Sequence, residues 1–211
     1  MKKGYVLVEG HGEVLAAGNL VNRVSQDLGA GVVWSPPLRW NNIHQRRGLE
    51  KGIEFIRRKG DASALLFLRD EDDACPKEKG PEMARIVASL APSCPTAVVL
   101  LHPEFEVLFL PCLQRMAGQS LDGRPGFDTT VQWDATNWQA RRGIKEWLSE
   151  QLPSGRSYKP TLDQLPLTRM IDLELLRKAT VPCFGTLERA LKFLCDTFGG
   201  TGVYPFPGED L

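Results

Sequence analysis

Four short apolar runs, Tyr5 to Val8, Gly31 to Trp34, Ala64 to Leu68 and Ala97 to Leu101, constrain this chain more than any other feature. Each is rich in β-formers or continuous aliphatics, and none alternates with polar residues. Runs of this length and texture suit strands buried on both faces, as in a parallel sheet covered by helices. The segments between them carry helical spacing instead. Val14, Leu15, Leu20, Val21, Val24 and Leu28 recur at intervals of three and four, as do Leu49, Ile53 and Ile56, and then Met83, Ile86, Val87 and Leu90. The order is βαβαβαβα over residues 1–117, which predicts an α/β fold with a right-handed, mostly parallel sheet flanked by helices.

Beyond Gly118 the texture changes. A Gly/Pro-containing stretch runs from Gly118 to Gly126, tryptophans stand at 133, 138 and 147, and a Pro/Ser/Gly loop spans Pro153 to Pro160. Strong strand signals are missing there. Helices are predicted from about Asn137 to Gln151, Asp172 to Ala179 and Thr186 to Phe198, the last stopped by Gly199, with a loose tail from Tyr204 to Leu211. Residues 1–117 therefore read as an α/β core and residues 118–211 as a helical C-terminal extension packed on it.

With 26 basic and 26 acidic residues the formal charge is zero, which excludes a polybasic protein that coats nucleic acid through its overall charge. Five scattered cysteines without a CxxC pair fit neither a disulfide framework nor a zinc ribbon. Glu9 interrupts the N-terminal apolar run well short of a secretory core, and nothing approaches the ~20 apolar residues of a membrane span. A soluble, cytoplasmic protein is expected.

The acidic residues gather where strands end. Glu9 closes the first run, Gly10 and Gly12 follow, and Glu13 falls in the first helical turn. The third run ends in Asp70-Glu71-Asp72-Asp73, and the fourth is followed by His102-Pro103-Glu104-Phe105-Glu106. Taken singly, each has an ordinary explanation: a carboxylate complementing a helix N-terminus, or a solvated acidic turn. Together they carry more weight, because open α/β sheets bind ligands outside the carboxyl ends of their strands. Asp70 and Asp72, two apart on an extended segment, should project to one side. Four adjacent acids also repel unless a positive charge sits among them. The joint reading is a site for a hard divalent cation, Mg²⁺ or Mn²⁺, held by oxygen ligands.

At these residues the chain resembles the Toprim superfamily, whose pattern is a Glu after the first strand and a DxD after a later one; here these are Glu9 and Asp70-Glu71-Asp72. It resembles more closely the Toprim-like bacterial family called domain of unknown function 4276. That likeness runs through Val8-Glu9-Gly10 with Glu13, Asp70 to Pro76, His102 to Glu106 with Leu108-Phe109-Leu110, Tyr158-Lys159-Pro160, Ile171-Asp172 and Cys183-Phe184. Within the superfamily, OLD-type nucleases are similar in having an EGxxE pair, a DxD, a later Glu and a Lys. The extra acid at Asp73 departs from the pattern and blurs which members of the run are ligands.

The resemblance implies metal-dependent phosphodiester chemistry on DNA or RNA in a bacterial defence (antiviral) or mobile-element system, with a separate ATPase partner. Two metals would activate water and stabilise the leaving oxygen. Glu9, Glu13 and Asp70 are assigned to one metal, and Asp72 with Glu106 or Glu104 to a second. Glu9 serves instead as general acid/base if one metal binds. Lys159 is the expected transition-state cation. Trp40, Arg46, Arg47, His11 and His102 are expected to contact nucleic acid, with Arg141, Arg142 and Lys145 as a second basic group. The alternative is a catalytically silent Toprim-fold subunit that binds a partner or nucleic acid. No GxxxxGK[ST] occurs, so the chain carries no P-loop of its own.

Overall fold

A computed structural model describes residues 3–133 and 142–206 and gives five strands and eight α-helices. In chain order these are β1 (Lys3–Val8), α1 (Glu13–Asp27), β2 (Leu38–Arg39), α2 (Arg46–Lys59), β3 (Ala62–Asp70), α3 (Pro76–Ser89) and β4 (Thr96–Leu101). A buried 3-10 helix (Phe105–Cys112) follows. Then come α4 (Leu113–Met116), α5 (Ile144–Glu150), a π-helical turn (Pro160–Gln164), α6 (Leu165–Met170), α7 (Leu173–Lys178), α8 (Pro182–Asp196) and β5 (Val203–Tyr204).

All strand pairs are parallel, in the order β2-β1-β3-β4-β5. The apolar runs are buried on both faces, as their composition requires. Val6, Val8, Leu66, Leu68, Val99 and Leu101 pack against α1, α8 and the 3-10 helix, whereas Leu7, Leu65, Phe67, Val98 and Leu100 pack against α2 and α3. Residues from both sides of position 117 share the first of these cores.

Two strands differ from expectation. Residues 31–34 contribute a single bridge, Trp34 to Gly4, and the pairing that forms β2 resumes only at Leu38. Pro36 and Pro37 lie between and have no N–H to donate to a ladder. At the other edge, Val203 and Tyr204 pair with Thr96 and Ala97, where a loose tail was expected from Tyr204 onward. Tyr204 is anchored by Phe193 and by its hydroxyl, which accepts from Arg189 Nε. Of the predicted tail, residues 207–211 lie outside the described residues, as do positions 137–141 of the predicted Asn137–Gln151 helix.

The sheet order reverses between β1 and β3, since α1 carries the chain to one edge and α2 returns it across β1. The ends of these two strands are the usual ligand position in such sheets. Among the described residues no helix is long and apolar enough to cross a membrane.

Candidate functional site

The side-chain alternation of β3 sorts the acids into two networks. Asp70 follows Leu66 and Leu68 onto the α1 and α8 face, while Arg69 follows Leu65 and Phe67 onto the α2 and α3 face. On the latter face Arg69 donates to Glu9 Oε2 (3.1 Å) and to Glu71 Oε2 (2.6 Å). The other Glu9 oxygen lies 3.1 Å from His44 Nδ1 and accepts from the Ile43 N–H at 3.2 Å. Glu71 also accepts from the Ala74 N–H, and these bonds with Arg69 hold its carboxyl below the usual range despite burial.

The second network gathers Glu13, Asp70, Glu104 and Glu106 around Lys145. The Lys145 ammonium lies 2.7 Å from Glu104 Oε2 and 3.5 Å from both Asp70 Oδ2 and Glu106 Oε2. Glu104 Oε1 also accepts from the Lys145 N–H, so one carboxylate clamps both the start of α5 and its side chain. Asp70 accepts from the Phe105 N–H at 2.8 Å. Burial and the neighbouring charges of Glu13 and Glu106 nevertheless hold its pKa well above the ordinary value. Burial raises Glu13 too, with a contribution from Glu9.

Glu106 is the most enclosed member, with no exposed surface. Its Oε1 accepts from the Tyr158 hydroxyl (2.7 Å) and from Gln164 Nε2 (3.1 Å), while its Oε2 has no hydrogen-bond donor. Burial pushes its pKa up to about 7, against the opposing pull of Lys145 and Tyr158. Burial also disfavours the charged form of Lys145, but Glu106, Asp70 and Glu104 together outweigh it and keep the amine firmly protonated.

Removing the Tyr158 hydroxyl by Tyr158→Phe should destabilise the fold by about 1–3 kcal/mol above pH 7, because a buried carboxylate then loses its best donor. The same change should lift the Glu106 pKa above its present position near 7. A ¹³C-glutamate NMR titration reads the shift, and an unmoved resonance would show that Tyr158 does not hold this carboxylate.

Gly12 fits the second network tightly. A Cβ there would stand 2.6 Å from Pro160 Cβ, 2.7 Å from the Pro160 carbonyl carbon and 2.9 Å from Gln164 Oε1. Gly12→Ala is therefore expected to push the 158–164 segment off Glu106 at a cost of about 1–3 kcal/mol. The measurement is a urea midpoint; an unchanged one means the segment yields freely.

The remaining expected site residues fall elsewhere. The β3 strand ends at Asp70 and the chain bends over residues 72–74, so Asp72 is exposed rather than beside Asp70. Lys159 has an exposed side chain, and its N–H donates to Asp163. His11 is exposed in the turn after β1. The His102 Nδ1–H donates to the Glu71 carbonyl (2.6 Å), which leaves Nε2 available. Trp40 is a packing anchor, bonded to the Gly48 carbonyl and stacked near Phe55, while Arg46 and Arg47 are exposed at the start of α2. Arg142 pairs with Asp73, and Arg141 lies outside the described residues. Lys145 was legible only as part of a basic group; its place among the acids was signalled by their need for a nearby positive charge.

Among the described residues no three carboxylate, imidazole or thiol groups are arranged as a ready cage for a metal ion. The donor chemistry of the second network still fits a hard divalent cation. It consists of carboxylate oxygens, and the buried Glu106 Oε2 lacks a donor. The Lys145 ammonium supplies positive charge at that point, and Glu13, Asp70 and Glu106 are the carboxylates that would hold an ion in its place.

No family model and no curated relative matches the chain. Among solved structures it is similar to a GDP-L-fucose synthetase from Naegleria fowleri bound to NADP, with 13% identity and a TM-score of 0.29 over 96% of this chain and 50% of that one. A likeness this slight carries no argument about fold or function.

Proposed function

We propose that the chain is a Toprim-like, divalent-metal-dependent nuclease that hydrolyses phosphodiester bonds in DNA or RNA. One observation carries this reading: Glu13, Asp70 and Glu106 meet beside the β1/β3 reversal, with raised pKa values and one buried oxygen left without a donor. Carboxylates with raised pKa values gathered at strand ends are the pattern of a functional site, and a cation site uses them. When bound, the metal would supply an activated water and neutralise charge on the phosphate. The chain's own groups do the positioning. Asp70 is aimed by the Phe105 N–H, Glu106 by Tyr158 and Gln164, and Glu13 through the Gly10 N–H. Lys145, tethered by Glu104, replaces Lys159 as the cation nearest the reacting phosphate. Glu9, bound by Arg69 and His44, orients the loop and tunes Glu13. A bacterial defence or mobile-element setting with an ATPase partner follows from the family resemblance.

The test incubates the protein with single- and double-stranded DNA and with RNA, in Mg²⁺, Mn²⁺ or EDTA. Metal-dependent cleavage is expected, with Asp70→Asn reducing it by at least about 100-fold, the upper end of what losing a mere orienting partner costs. The presence of Lys145 among the acids favours a second reading, a catalytically silent Toprim-fold binding subunit. A wild-type protein that neither cuts nor binds Mn²⁺, alone or with its ATPase neighbour, would decide for that alternative.

A further inference from the structure

A cleft of about 900 Å³ opens at the carboxyl end of β4, between the first turns of α3 and α8. Its floor is apolar: Ala74, Pro76 and Pro182 offer surface above the buried Val98, Leu100, Val181 and Phe184. Its rim carries the cations Lys77, Arg142, Arg177 and Arg189 together with Asp73 and Glu188. These cations are unequally committed. Arg177 is held by Asp27, Glu174 and Glu188. Among the described residues Arg142 pairs with Asp73, whose side chain is 85% exposed. Arg189 donates to the hydroxyls of Tyr204 and Thr186, and Lys77 makes no ion pair among the described residues.

An apolar floor beside Lys77 and Arg189, which make no ion pair among the described residues, and beside the exposed Arg142–Asp73 pair selects a ligand with a flat, weakly polar body and an anionic group. Bare phosphate would leave the floor unfilled, and a fatty acid would leave most of the rim cations unused. The volume lies in the range of small-molecule sites and accommodates a nucleotide. Position supports the same ligand, because the cleft adjoins both acid networks without sharing their carboxylates. His102 lines the cleft and is bonded to Glu71, and Glu104 follows two residues later. At the start of α5, Arg142 reaches the rim while Lys145 reaches the acids.

We infer that this cleft receives an unpaired nucleotide of a single strand, its base against the apolar surface of Ala74, Pro76 and Pro182 and its phosphate against Lys77, Arg142 and Arg189. The choice of ligand rests on the phosphodiester reading proposed above, but binding here needs no metal.

A short fluorescein-labelled single strand, as DNA and as RNA, is titrated with the full chain in EDTA and followed by anisotropy. The single strand should bind, AMP should compete, and inorganic phosphate at the same concentration should not. Gly185→Leu should weaken binding at least tenfold. A Cβ at Gly185 meets only Arg189 Nη1, at 3.4 Å, so the added side chain enters the cleft while the helix loses a glycine. A thermal midpoint equal to or above that of the wild type separates this effect from unfolding. The pair Lys77→Glu with Arg189→Glu should weaken binding similarly. Absence of binding in EDTA overturns the inference, as do undiminished binding by the variants, equal competition by phosphate, or equally tight binding of blunt duplex. Because no metal is present, these results are independent of the cleavage assay: a cleft that fails here leaves the acid cluster to be judged by Asp70→Asn.

Discussion

Lys145→Met is expected to cost the fold about 2–3 kcal/mol at pH 8 and less than about 1 kcal/mol at pH 5. The upper figure lies below the ~3–5 kcal/mol of a fully buried pair because the Lys145 side chain is 35% exposed and partly screened. Methionine keeps most of the stem, so charge is the principal loss. The pH dependence follows from the acids. Glu106 titrates near 7 in the folded chain and Asp70 also above its ordinary value, so between their unfolded and folded pKa values the native state binds extra protons. Stability contributed by such groups is present at low pH and declines as pH rises through the folded values. Lys145 opposes that decline by lowering both pKa values, and its removal steepens it. Urea unfolding at pH 5, 7 and 8 makes the measurement; a loss of equal size at every pH would mean that Lys145 is a packing residue. Mn²⁺ should restore the variant more than it raises the wild type, by up to about 2.7 kcal/mol at a hundredfold excess over Kd, because the ion then meets no competing ammonium.

The α/β fold was readable because continuous apolar runs and 3.6-residue spacing alternate cleanly from Tyr5 to Leu101. Where pattern gave way to pairing, the sequence misled. Val32, Val33 and Trp34 look like a strand, yet the prolines at 36 and 37 postpone β2 to Leu38 and Arg39. Val203 and Tyr204 form only two residues of edge strand, too few to carry a periodic signal. The candidate site shows the same division. That acids at three strand ends form networks in one region followed from where each strand stops. Which acids belong together depended on strand parity: Arg69, which binds Glu9, and its neighbour Asp70, which faces Glu13 and Glu106, point to opposite faces of the sheet. The bend after Asp70 removed Asp72 from that register. Tyr158, Gln164 and Lys145 are far from Glu106 in sequence, and no local pattern announces contacts made by chain folding over such separations.

Mn²⁺ affinity should rise about tenfold per pH unit up to about pH 7 and then level off, one proton being displaced from Glu106 for each ion bound. Asp70, also raised, adds a second proton where it too is neutral and makes the dependence steeper at the acid end. The sign is fixed by the ligand chemistry: a carboxylate holds a cation in its ionised form, and burial keeps these two neutral to unusually high pH. Glu106→Gln should remove its share of the slope and weaken binding at pH 8, where the wild type has an ionised oxygen to offer. Lys145→Met should act oppositely at high pH, strengthening binding by clearing the ammonium, while moving the plateau to higher pH because both acids lose the cation that lowers them. Free Mn²⁺ followed by electron paramagnetic resonance from pH 5.5 to 8.5 distinguishes these outcomes. A wild-type affinity that does not change across this range would separate metal binding from the Glu106 network, whereas opposite responses of the two variants at pH 8 would tie the ion to the point where Lys145 now lies.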